Sequence, residues 1–210
     1  MPIQLAGTFL SPHFQIALTV AHEVNLPVSI LPVDFTKGEH HLPQNLAHQP
    51  FGYVPYLLDG DFSLYESRAI ARYFALLQKS ALVPDGSDVK KVAKFEQAAS
   101  TELTNWAPFV FAVALDTVWA PSVFDDASKA KHLADLNKKL DVFEGILGKQ
   151  KYVAGDEISL IDFFYIPFAY TVIELGKVNI FDPATRPNLA RWWKDVSARP
   201  SWLAVKAQSA

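Results

Sequence analysis

No cysteine occurs anywhere in this chain, and the absence removes a whole branch of chemistry. A disulfide framework, a thiolate metal ligand, a cysteine nucleophile and a C-x-x-C redox pair are all excluded. Any sulfur chemistry must use a sulfur brought by a ligand. The six histidines, His13, His22, His40, His41, His48 and His132, show no H-E-x-x-H or comparable spacing, so no catalytic metal is expected. An excess of basic charge is missing too. A net charge of −3 and an isoelectric point near 6.0 leave no patch for nucleic acid and no polybasic surface for a membrane. Apolar residues nowhere run long enough to span a bilayer. Met1-Pro2-Ile3-Gln4-Leu5 has neither a basic n-region nor a long apolar stretch. A soluble, cytoplasmic protein is the expectation.

What is present argues for a folded protein. Half of the 210 residues are hydrophobic and 13% are aromatic, enough to fill the core of one large domain or two modest ones. Ile3 to Gly7 reads as a short strand. Ser11-Pro12 reads as an N-cap with proline at the first helical position, and Phe14, Ala17, Leu18, Ala21 and Val24 follow at helical spacing. Val28 to Val33 is the next strand, followed by a polar loop (Thr36 to His41) and a short helix near Leu42 to Ala47. A hairpin and a helix from Glu66 to Leu77 complete the order βαβαββα over residues 1–77, an α/β domain with the element order of a thioredoxin-like fold. The first two strands pair in parallel, and the hairpin adds antiparallel strands. Residues 78–88, with Ser80, Pro84, Gly86 and Ser87, read as a linker. Residues 89–210 form an all-α helical bundle, with helices expected over 89–120, 128–147, 160–175 and 188–198, interrupted near Pro121 and between Gly145 and Gly155.

The run from Asn45 to Arg68 carries most of the functional signal. Pro55 cannot donate to a sheet ladder, so it belongs at the first residue of a strand or on an edge. The Val54-Pro55 bond is a candidate for the cis isomer, which turns the backbone of Val54 outward. Asp59-Gly60 supplies the positive φ values of a two-residue hairpin turn. Glu66 and Ser67 stand at a helix start, where free N–H groups and the helix dipole attract a carboxylate. A strand edge beside such a helix start suits a small extended peptide. Ser159-Leu160-Ile161-Asp162 has the form of a capping box, with Ile158 and Phe163 as its staple. That motif, Trp192-Trp193 and Arg199-Pro200 are read as folding signals, the last as helix termination.

A thioredoxin-like half followed by a helical bundle, with Val54-Pro55, Glu66-Ser67 and the late Ser-x-x-Asp box, resembles a cytosolic glutathione transferase over nearly the whole chain. The resemblance is to the phi class of plants and fungi in three stretches: Phe35 through Glu39-His40; Pro50-Phe51-Gly52 with Val54-Pro55; and Asp59-Gly60-Asp61 through Tyr65-Glu66-Ser67-Arg68 to Tyr73. It implies a glutathione site on the N-terminal half. Val54, beside a cis Pro55, pairs its backbone with the cysteinyl unit. Glu66 takes the γ-glutamyl amine, and Ser67 with nearby helix N–H groups takes its carboxylate. His40 and His41 match the place that holds the glycyl end, with His41 replacing a common Lys. Tyr53 occupies a usual Gln position, keeping a hydrogen bond by its hydroxyl or only a backbone role. Glutathione is the implied co-substrate, without a metal. The hydrophobic electrophile needs an apolar wall between the domains, for which the resemblance offers Leu10, Pro12, His13 and Phe35 on one side and Phe111, Leu115 and Trp119 on the other. A homodimer is also implied, with Phe51 and the helix from Val89 as interface elements.

Ser11 is the implied activating residue. A thiol of pKa about 8.5 is only a few per cent thiolate at neutral pH, so catalysis requires the anion to be stabilised. Lowering that pKa by two units takes about 2.7 kcal/mol, within reach of one charge-assisted hydrogen bond and a helix terminus. The same serine is fully explained as the N-cap before Pro12. Both readings stand at this point, because hydroxyl lone pairs accept a capping N–H while the proton points elsewhere. The phi pattern places an Arg a few residues later, where this chain has Phe14, Gln15 and Ile16; His13 is the available substitute for its charge, but it reads first as a half-buried structural histidine. Two function classes follow. One is a transferase that adds glutathione to hydrophobic electrophiles, with hydroperoxide reduction open to the same thiolate. The other is a non-catalytic carrier or regulatory module of the same fold.

Overall fold

A computed structural model of the chain describes residues 2–209. These divide into two compact units, one running to Val83 and resuming at Arg199, the other spanning Pro84–Ala198. The first unit contains β1 (Ile3–Gly7), α1 (Pro12–Glu23), β2 (Val28–Pro32), a 3-10 turn at Glu39–His41, α2 (Pro43–Leu46), β3 (Tyr56–Asp59), β4 (Phe62–Tyr65) and α3 (Ser67–Leu77). Their order is the expected βαβαββα. The strands form one mixed sheet in the order β2-β1-β3-β4, with β1 and β2 parallel and the other two pairs antiparallel. Leu5 and Leu57, opposite each other in the β1–β3 register, are fully buried, and each such side chain contributes about 1.5–3 kcal/mol by leaving water.

The hairpin turn differs by one residue from the expectation. Asp59 is paired with Phe62 as the last rung of the ladder, so the turn residues are Gly60 and Asp61. Gly60 alone adopts a positive φ, +59°, as a two-residue turn led by glycine requires.

The second unit is helical: α4 (Val89–Asn105), α5 (Ala107–Ala114), α6 (Asp126–Leu147), α7 (Asp162–Tyr170) and α8 (Pro187–Ser197). The single helix expected over 89–120 is broken at Trp106, whose φ is −119°. Pro108 lacks the N–H that would continue the ladder and sits in the first turn of α5. A π-helical turn at Leu115–Trp119 follows, closed by Ala120 N–H to the Leu115 carbonyl at 2.9 Å. A second π turn, Thr171–Leu175, extends α7. Only the acidic half of the expected Ser159–Asp162 box forms: one Asp162 oxygen accepts from the Ser159 N–H (2.8 Å) and hydroxyl (2.9 Å), while the Asp162 N–H donates to the Ser159 carbonyl (3.2 Å) rather than to its hydroxyl, and Ile161 precedes α7. The other Asp162 oxygen accepts from Val153 N–H (3.1 Å) and Trp192 Nε1 (2.9 Å).

Arg199-Pro200 does not merely end a helix. Pro200 opens a further one, α9 (Pro200–Lys206), as its first residue, the position where a missing N–H costs nothing. This helix groups with the first unit, whereas the sequence assigned residues 199–210 to the helical bundle. Electrostatics explain the placement. Arg199 Nε lies 3.1 Å from both carboxylate oxygens of Glu23, Arg199 Nη2 also donates to that carboxylate, and Ser201 Oγ donates to it at 2.6 Å.

Candidate active site

Strand register brings four turns to one end of the sheet. Gly7, the last residue of β1, pairs with Pro32, the last of β2. Ala6 pairs with Tyr56, the first residue of β3, and Tyr56 pairs with Tyr65, the last of β4. The segments leading to Ser11, His40, Val54-Pro55 and Glu66-Ser67 therefore all leave from the same edge. Ala6, Val33, Val54 and Tyr56 form a buried cluster beneath them, with Leu31, Phe35 and Leu58 packed against it.

Ser11 caps α1. Its φ and ψ are −96° and 115°, and its Oγ accepts the Phe14 N–H at 3.4 Å. The side chain is 7% exposed. The cap uses a lone pair and leaves the hydroxyl proton to face a further acceptor. Leu10 before it is exposed and Pro12 after it is buried. Val54-Pro55 is cis, as expected; Val54 is buried and Tyr53 exposed.

At the start of α3, Glu66 is held at φ +73°, ψ 110°, a region that non-glycine residues seldom occupy and that concentrates at functional positions. Its side chain is exposed, whereas Ser67 is buried. Ser67 Oγ lies 3.4 Å from His13 Nδ1. Burial, and secondarily the Arg68 guanidinium, lower the His13 pKa to about 4. His13 is thus neutral at pH 7 and cannot replace the charge of an arginine. Its Nδ1 faces the Ser67 hydroxyl, a polar contact rather than part of an apolar wall.

The loop after β2 is built by a relay of side chains. Tyr56 donates its hydroxyl to Asn45 Oδ1 at 2.7 Å, Asn45 Nδ2 donates to the Glu39 carbonyl at 2.6 Å, and Glu39 Oε2 accepts the Asp34 N–H at 2.8 Å. On this scaffold the rings of His40 and His41 lie 4.0 Å apart, with Phe35 4.7 Å from His40. His40 Nδ1 is buried and has no hydrogen-bond partner among the described residues. Its pKa is lowered by burial first and by His41 second. Gly52 approaches His41 so closely that a Cβ there would lie 2.5 Å from Nδ1.

Sequence reasoning missed the supporting members of this site. Glu39 and Asn45 stand within the motif, but their role depends on an interior partner, Tyr56, that no local pattern reveals. Gln15 gives no sequence signal beyond its place near the expected arginine. It is buried, and its Nε2 donates to the Phe9 carbonyl at 2.6 Å.

In the second unit Phe111, Trp119 and Phe168 form one aromatic cluster, with centroids 5.5, 6.3 and 6.1 Å apart. Phe111 and Trp119 remain 42% and 38% exposed, and Leu115 is half-buried.

Comparison with known proteins gives this arrangement its family. Residues 1–75 match the model of the glutathione S-transferase N-terminal domain, and residues 106–200 that of the C-terminal domain. Glutathione S-transferase F9 of Arabidopsis thaliana is 38% identical over 207 residues, 94% of each chain. Glutathione transferase F7 from Populus trichocarpa superposes with a TM-score of 0.92 at 30% identity, covering 99% of each chain. Maize glutathione S-transferase I, in complex with an atrazine glutathione conjugate, superposes with a TM-score of 0.91 at 29% identity, covering 100% of this chain and 98% of that one. The chain belongs to the glutathione S-transferase family, within which it resembles the phi class.

Proposed function

We propose that this chain activates the thiol of glutathione as a thiolate and joins it to hydrophobic electrophiles. The observation that carries the reading is the convergence of Ser11, Val54-Pro55 and Glu66-Ser67 at one end of the sheet. Val54 pairs its backbone with the cysteinyl unit, as an extended peptide pairs with a strand edge. The Glu66 carboxylate takes the γ-glutamyl amine, and Ser67, with the free N–H groups opening α3, takes the γ-glutamyl carboxylate. His40 and His41 hold the glycyl end, where the unsatisfied Nδ1 of His40 gains a partner. Tyr53 borders the cysteinyl position.

The Ser11 hydroxyl donates to the sulfur while its lone pair keeps the capping bond. It lowers the thiol pKa without itself taking the proton, which leaves to solvent. The thiolate then forms a bond to an electrophilic carbon, and the displaced group departs with its bonding pair. For the electrophile, Leu10 with Phe35 offers apolar surface on the first unit; Phe111, Leu115 and Trp119 form a separate apolar patch on the second. The maize enzyme bound to an atrazine glutathione conjugate supports this substrate class and a role in detoxification. The same reading includes a cytoplasmic location and a homodimer using the exposed Phe51 (65%) and Val89 (77%); among the described residues no helix is long and apolar enough to cross a membrane.

Titrating bound glutathione by its thiolate ultraviolet absorbance tests the reading. The expected bound pKa lies about two units below that of the free thiol, with most of the shift lost in Ser11→Ala. An unshifted pKa identifies a carrier that binds glutathione without activating it.

A further inference from the structure

The turn that carries Ser11 is held from behind. Gln15 Nε2 donates both to the Phe9 carbonyl, at 2.6 Å, and to Ser209 Oγ, at 3.3 Å. The carbonyl acceptor fixes the amide orientation, because a flipped amide would set oxygen against oxygen. Ser209 Oγ in turn donates to the Val205 carbonyl at 2.9 Å, so one hydroxyl receives the Gln15 proton and spends its own on α9.

The contact falls at one end of a longer arrangement. At the opposite end of α1, Glu23 binds Arg199 and Ser201 at the start of α9. Gln15 and Glu23 are eight residues apart within α1, a rise of about 12 Å, and Ser209 lies three residues beyond the end of α9 at Lys206. The segment from Arg199 to Ser209 is thereby fastened to both ends of α1, and its far fastening reaches the turn through Gln15. Phe9 is two residues before Ser11, whose own N–H donates to the Thr8 carbonyl at 3.0 Å. Packing alone accounts poorly for a glutamine here, because its Oε1 is buried without a hydrogen-bond partner among the described residues, a cost that an apolar side chain would avoid.

We infer that Gln15, backed by Ser209, is the positioning residue that fixes the Phe9–Ser11 turn so that the Ser11 hydroxyl meets the thiolate. The inference rests on the proposed role of Ser11. Gln15 touches neither glutathione nor electrophile; it acts through the Phe9 carbonyl. Losing either partner loosens the turn and weakens thiolate stabilisation, while the residues that bind glutathione stay in place.

The test uses the full chain carrying Gln15→Met, Ser209→Ala, Ser209→Thr or Ser11→Ala. Expected for Gln15→Met is a bound-thiol pKa raised by about one unit and kcat at neutral pH reduced about tenfold, with KM for glutathione unchanged within about twofold. Ser209→Ala gives a smaller change in the same direction, and Ser209→Thr, which keeps the hydroxyl, returns to wild type. Amide exchange of Leu10 and Ser11, followed by NMR, should quicken in Ser209→Ala. Because Ser209→Ala is a mild change, its result stands even if Gln15→Met fails to fold. If Ser11→Ala raises the thiol pKa but neither Gln15→Met nor Ser209→Ala moves it, the positioning role is overturned. If Ser11→Ala leaves the pKa unmoved, the reading of Ser11 fails and takes the inference with it, whatever the exchange rates show.

Discussion

His13 Nδ1 lies 3.4 Å from Ser67 Oγ, joining the first turn of α1 to the first residue of α3. The contact ties the helix that begins behind Ser11 to the helix start read as an anion site, so the two halves of the proposed glutathione cradle share one side-chain contact. Since His13 is neutral at pH 7, the proposed contact of the Ser67 hydroxyl and the N–H groups of α3 with the ligand carboxylate has no help from an imidazolium.

Ser67→Ala should therefore act on binding. Loss of one hydrogen bond to a charged group weakens glutathione affinity about tenfold, with kcat kept within about twofold. Calorimetry together with steady-state kinetics separates the two, and an unchanged affinity would remove Ser67 from the site.

His13 gives the first unit an acid-sensitive element. Its pKa is lowered from 6.5 to about 4 in the folded chain, so between those values the unfolded state binds the extra proton. Stability from this residue is fully present above about pH 6.5 and is lost as the pH falls toward 4, by up to about 3 kcal/mol. Urea unfolding of wild type and His13→Gln at pH 7.5 and 4.5 should show a steeper acid loss in the wild type. Parallel curves would contradict it.

Gly52 and Gly60 form an internal control. Both have positive φ, +69° and +59°, but a Cβ on Gly52 meets His41 whereas one on Gly60 meets open space. Each alanine substitution should cost about 1 kcal/mol or somewhat more for the strained backbone. Only Gly52→Ala should also raise KM for glutathione, several-fold, by displacing His41. Equal KM values in the two variants would detach His41 from the ligand.

Asp162 anchors the second unit. It is fully buried and accepts from Ser159, Val153 and Trp192. Asp162→Ala strands those donors and should lower stability by about 3 kcal/mol or more, read as a drop in the urea midpoint. A variant as stable as wild type would mean that the donors find other partners.

Much of this was legible because it depends on local chemistry. The strand–helix–strand opening, Pro55 before an apolar run, the Ser11 cap and the acidic half of the Ser159–Asp162 box each rest on backbone rules that act within a few residues. What escaped depended on partners distant in the chain. Pro200 looks the same whether it stops a helix or starts one, and the decision lies with Glu23, far away in sequence. The break at Trp106 was hidden because its neighbours keep a helical pattern while Pro108 removes a single donor. The hairpin turn shifted by one residue because Asp59 remains in the ladder and donates nothing to the turn, leaving Gly60 as its first residue. His13 reads from the sequence as a half-buried structural histidine before a spare cation, and its burial and its place near Arg68 keep it neutral.

The common end from which the four turns leave has a counterpart. The Gly60–Asp61 turn hangs from the opposite end of the sheet, with Tyr73 Oη holding Asp59 there at 2.6 Å. Changes of loop length at that far end can accumulate without moving the near one, since the paired strands between them fix the register. The sheet thus separates a conservative rim from a permissive one, and the permissive rim is where a fluorophore, tether or inserted peptide belongs when the near rim must go on working.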